Sequence, residues 1–136
     1  MRMEIAVVIV GMGWVLGGAA ASLSAHHAFA AEFDAKKATT FKGTVTKMEW
    51  INPHVWIHIN VTKGGKTEEW MAEGGAPSVL FRRGFTKTSL QPGVEIVVDG
   101  YQAKDGTNKM NAREVTFADG RKLFAGASGT GAPDQK

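Results

Sequence analysis

Apolar and polar residues alternate most cleanly between His54 and Val61. Val55, Ile57, Ile59 and Val61 fall on one side of an extended chain, and His54, Trp56, His58 and Asn60 on the other. The pattern predicts a strand whose branched aliphatics face a core while two imidazoles and an indole face outward. Asn52-Pro53 just before it is a turn signal, because proline keeps the residue ahead of it out of helical backbone.

Further elements follow on either side. Thr39 to Trp50 reads as a first strand, with Thr40, Thr44, Val45 and Thr46 suited to a pleated surface and Gly43 marking a bend. Lys63-Gly64-Gly65-Lys66 is a hairpin turn, and Thr67 to Glu73 returns as a third strand with Trp70 alternating against Glu69 and Met71. Pro77 opens a short helix that Gly84 ends, with Val79, Leu80 and Phe81 giving it an apolar side and Arg82 and Arg83 in its last turn. Val94 to Tyr101 and Met110 to Phe117 are a fourth and fifth strand, and Lys122-Leu123-Phe124 adds a short sixth. Three strands, a short helix, then two strands is the order of an OB-fold. The expected fold is therefore all-β with one short helix, a small five- to six-stranded OB-like Greek-key barrel over 39–124.

The ends differ from this middle. Residues 1–25 read as an export signal: Arg2, an apolar run from Ile5 to Gly18, then small residues to Ala25. The run falls short of the ~20 residues that span a bilayer, and an uncleaved anchor is the alternative. Cutting after Ser24 or Ala25 leaves His26 and His27 at the new terminus. Cutting after Ala30, which fits the small-x-small rule on paper, discards both; the early end of the apolar run favours the upstream sites. Residues 26–38 form a lead-in arm, either a short helix or extended. The stretch 125–136, rich in Gly, Ala, Ser, Thr and Pro, reads as a tail with too little apolar surface to order itself. The expected location is periplasmic or secreted.

Composition narrows the chemistry. The chain has 136 residues, 43% of them apolar and 21% charged, which suits one globular domain. It contains no cysteine, so disulfides and thiolate metal sites are excluded. A net charge of +3 is too small to argue for nucleic-acid binding.

Four runs carry a resemblance. Ala25-His26-His27-Ala28-Phe29, Glu49 through His54, Glu73-Gly74-Gly75-Ala76-Pro77 through Leu80-Phe81-Arg82-Arg83-Gly84, and Asp119 through Phe124 resemble a family of small exported bacterial proteins, domain of unknown function 6152. The resemblance implies an exported β-rich domain and no particular activity.

The histidines suggest a metal. A free N-terminal amine beside an imidazole suits Cu(II), which favours nitrogen ligands in a plane, so His26 and His27 are candidate ligands. His54 and His58, four residues apart on a strand, stand about 13 Å from one another and cannot share one ion. His54, at the strand mouth, is the better third ligand. Glu32, Asp34, Glu49 and Glu73 are either partners for these rings or solubilising charges, and each taken alone reads as the latter. A reading of another class uses Trp50, Trp56, His58 and Trp70 as a face for an oligosaccharide, a peptide or an extracytoplasmic protein. No nucleophile motif is present, and the glycine-rich stretch 126–131 follows no strand–helix unit. The chain is thus expected to be a binding module and not an enzyme, with copper as its one candidate cofactor.

Overall fold

The computed structural model describes residues 29–126. A helical turn over 29–32 (α1) runs directly into β1 (Phe33–Glu49). There follow β2 (Trp56–Lys63), β3 (Lys66–Glu73), α2 (Pro77–Arg82), β4 (Glu95–Ala103), β5 (Lys109–Phe117) and β6 (Lys122–Phe124). The strands line up as β3-β2-β1-β4-β5-β6, and β3 pairs again with β5, so that β1, β2, β3, β5 and β4 form a closed ring. The β3–β5 pairing is parallel and the others are antiparallel. This is the OB-like connectivity expected from the element order, with β6 added at an edge and two short helices instead of one.

The first strand begins at Phe33, not Thr39, and takes in residues 33–38 of the predicted arm. Its 17 residues serve two neighbours: Phe33 to Thr44 pair with β4, and Thr44 to Glu49 with β2. Lys36 and Lys37 read locally as a solvated lead-in, but they fall in an irregular stretch between Phe33 and Ala38, which pair with Ala103 and Tyr101 of distant β4. At the crossover the strands crowd together. A Cβ on Gly43 would lie 2.7 Å from the Asn60 carbonyl oxygen, and the β1–β2 register shifts between Val45 and Lys47. Glycine is the residue that fits such an approach.

The predicted core face is buried: Val55, Ile57, Ile59 and Val61 pack with Val45, Trp70, Ala72, Ile96, Val98, Met110 and Val115. Leu80 of α2, Phe85 and Leu90 join the same cluster. Phe81 does not, and stands 67% exposed. A helix of six residues has under two turns, and Leu80 is its one buried residue. A second, smaller cluster joins Phe29 and Phe33 to Tyr101 and Ala103.

Candidate functional site

Directly opposed residues of paired strands point to the same face of a sheet. The register therefore carries the outward face of β2 around the ring. Glu49 stands opposite Trp56, Trp56 opposite Glu73, Glu73 opposite Asn111, and Asn111 opposite Tyr101. The next row is Lys47, His58, Met71 and Lys109.

His54 lies just ahead of β2, where the chain is still tied to the end of β3. Val55 N donates to the Gly75 carbonyl at 3.0 Å, and Gly74 N donates to the Val55 carbonyl at 2.7 Å. These bonds prolong the β2–β3 ladder and set His54 beside Glu73. The ring Nδ1 is 3.0 Å from the Gly74 carbonyl oxygen and 3.2 Å from Glu73 Oε1. A carbonyl can only accept, so Nδ1 carries the proton and the neutral ring keeps its lone pair on Nε2. The His54 side chain is 35% exposed, and that of Glu73 only 10%. Glu73 Oε2 is buried and has no hydrogen-bond partner among the described residues. Burial pushes the Glu73 carboxyl above the usual carboxylate range; His54 opposes the shift, Glu32 adds to it and Lys109 opposes it.

Lys109 links this pair to the start of the described chain. Its Nζ lies 2.8 Å from Glu32 Oε1 of α1 and 5.7 Å from the Trp56 ring centroid. The hydrogen bond to Glu32 raises the lysine pKa. The Lys104 backbone N donates to the Glu32 carbonyl at 2.9 Å, and Lys104 Nζ donates to the Ala30 carbonyl. Phe29 meets Tyr101 edge-on, with ring centroids 5.6 Å apart, and Phe33 at 5.8 Å.

His58 has different company. Its Nε2 is 3.0 Å from Glu49 Oε2 and its Nδ1 is 3.3 Å from Glu69 Oε1. Lys47 Nζ binds the other oxygen of Glu49 at 2.5 Å. The hydrogen bonds from Lys47 and then His58 hold the Glu49 carboxyl below its ordinary range. With a carboxylate at each nitrogen, the His58 ring is committed at both ends.

Of the residues predicted to bind, His54, Trp56 and His58 face outward, and His54 acquires the carboxylate partner expected of a ligand ring. His26 and His27 lie outside the described residues. Among the described residues, no three histidine or carboxylate groups converge to hold a metal ion. Trp70 is a correction: it is 7% exposed and stacks on Phe41 at 4.1 Å. It sits opposite Ile59, an inward residue, and so shares that residue's face. Trp50 is half-buried and packs against the main core, so it too gives up much of its surface. The Arg83 guanidinium stands 4.4 Å from the centroid of the Phe124 ring. Sequence reasoning missed Lys109 and Asn111. Both reach the site through the β3–β5 pairing, which leaves no trace in local spacing.

Comparison with curated proteins and with solved structures finds no match. A family model does match, over residues 15–112, which takes in the histidine pair and the runs around His54 and Glu73 but stops before Asp119. The chain belongs to the family of unknown function DUF6152.

Proposed function

We propose that this chain is an exported, non-enzymatic module that binds Cu(II), with the N-terminal amine, His26 and His27 as a planar nitrogen set and His54 Nε2 as the ligand from the ring. It works in the periplasm or outside the cell. The observation that carries the reading is the fixing of His54. A metal-binding imidazole typically donates its far N–H to a carbonyl or carboxylate, which sets its tautomer and aim. His54 does so toward Gly74 and Glu73 and keeps Nε2 for a ligand.

Copper supplies nothing catalytic in this reading; the residues bind and orient it.

Copper titrated into the exported protein and into His26→Ala and His54→Ala tests the reading. Tight one-to-one binding that weakens in both variants is expected. Weak and equal binding in all three would overturn it. The competing reading, a face for a glycan or peptide, keeps Trp56 as its outward aromatic beneath Lys109. Tryptophan quenching by such ligands that disappears in Trp56→Ala would favour that reading.

A further inference from the structure

We propose that the corner where α2 meets β6 docks on the surface of an anionic phospholipid bilayer. The Phe81 ring enters the headgroup layer, and Arg82 and Lys87 meet lipid phosphates. This surface is independent of the metal reading.

Charge singles the corner out. Between Glu73 and Glu95 the chain carries three cations, Arg82, Arg83 and Lys87, and no acidic residue. Six cations elsewhere, Lys42, Lys47, Lys66, Lys109, Arg121 and Lys122, each stand within 2.9 Å of a carboxylate. Arg82 and Lys87 are exposed and have no such partner among the described residues. Arg83 is engaged otherwise: its guanidinium lies against the Phe124 ring and donates to the Gly126 carbonyl. Lys87 sits in a turn that is itself held, with Ser89 N donating to the Thr86 carbonyl at 3.0 Å and Thr86 N to Ser89 Oγ at 2.7 Å.

Apolar surface gathers at the same place. Among the described residues the exposed large apolar side chains are Ile51, Phe81 and Phe124, and Phe81 is the most exposed at 67%. Leu80 is buried and anchors α2 on the core, which leaves Ser78, Phe81 and Arg82, three and four residues apart, on the helix's outer side. Phe124 comes to the end of α2 from β6 by way of Arg83, and a Cβ on Gly84 would lie 3.7 Å from Leu123 Cδ2.

The shape of the corner suits a bilayer better than a protein. A stable protein partner needs about 800 Å² of fitted surface on each side. A six-residue helix with one projecting ring presents far less. A membrane surface requires no fitted shape: an aromatic ring settles among the headgroups while cations beside it attract the anionic lipid.

Co-sedimentation of the exported protein with vesicles tests this. Binding to vesicles of phosphatidylcholine with about 30% phosphatidylglycerol, and not to phosphatidylcholine alone, is expected. It should fall away as salt is raised to about 0.5 M. Phe81→Ala should weaken binding about tenfold, and Phe81→Leu much less. Arg82→Ala and Lys87→Ala should each weaken it about fivefold. Lys66→Ala, which removes one charge from the β2–β3 hairpin, should leave it unchanged. No binding to the anionic vesicles, no preference for them, or an equal loss from Lys66→Ala would overturn the proposal. The melting temperature of Phe81→Ala should match wild type because the ring is exposed; a marked fall would make Phe81 part of the packing and overturn its lipid role. A concentration-dependent dimer that Phe81→Ala abolishes, without vesicle binding, would give the corner to a second copy of the chain instead.

Discussion

His54 and His58 leave the same side of the same stretch of chain, four residues apart, and end in opposite circumstances. His58 is gripped at both nitrogens, by Glu49 at 3.0 Å and Glu69 at 3.3 Å, and joins β1, β2 and β3 as a surface clasp. His54 is gripped at Nδ1 only, by a carbonyl and a carboxylate, while a third of its side chain meets solvent. The carboxylates differ in the same sense. Hydrogen bonds from Lys47 and His58 hold the Glu49 carboxyl below its ordinary range; Glu73 is buried, with one oxygen unpartnered among the described residues. Among the described residues, His58 has both nitrogens engaged and His54 has one; the proposed function rests on that difference. Type and spacing do not distinguish them; their neighbours do.

The contrast can be attacked at several points. The largest effect belongs to the residue between the two rings that faces the other way. Ile57→Ala should cost about 2–5 kcal/mol in urea unfolding, because it opens a cavity in a fully buried face. If it cost no more than His58→Ala, the inward and outward faces would not differ as described. Copper affinity comes next. His54→Ala should weaken Cu(II) binding by about 100-fold in competition with a chromophoric chelator, and Glu73→Ala by about 10-fold through loss of ring orientation. His58→Ala should leave it unchanged, and an equal loss from both histidine variants would erase the distinction.

Metal-free protein offers a subtler comparison. Glu73 has a raised pKa in the fold, so its contribution to stability is present at low pH and is lost as pH rises through the folded value. Wild type should therefore lose ground to Glu73→Gln as pH climbs from about 3 to 7. Glu49 has a lowered pKa, so wild type should gain ground on Glu49→Gln over the same range. Melting curves across pH should show slopes of opposite sign; slopes of one sign would contradict the two environments. The smallest effect is that of His58→Ala itself, about 1 kcal/mol, for the loss of its contacts to two partly exposed carboxylates.

Much of this was legible in the residues. Alternation from Val55 to Val61 marks the core face correctly, Pro77 opens the helix where expected, and Lys122 to Phe124 forms the short last strand. Glu49 and Glu73 read on sequence grounds more readily as solubilising charges than as histidine partners, yet each does meet one. Other features were hidden. Trp70 alternates with Glu69 and Met71 in a way that fits either face, and only its position opposite Ile59 turns it inward. Phe81 looks like part of a buried helix side, yet the helix is too short to bury it.

The sequence by itself determined the strands after the first and their punctuation. These follow from side-chain parity, from proline and glycine backbone preferences, and from the short links between neighbours, all of which act locally. Tertiary structure decided which histidine keeps a nitrogen to spare, which tryptophan is sealed inside, and that Lys109 joins α1 to the His54–Glu73 pair. Those depend on pairing register between strands far apart in the chain. A slip of one residue would send every side chain of a strand to the other face, so register cannot be read from any single strand.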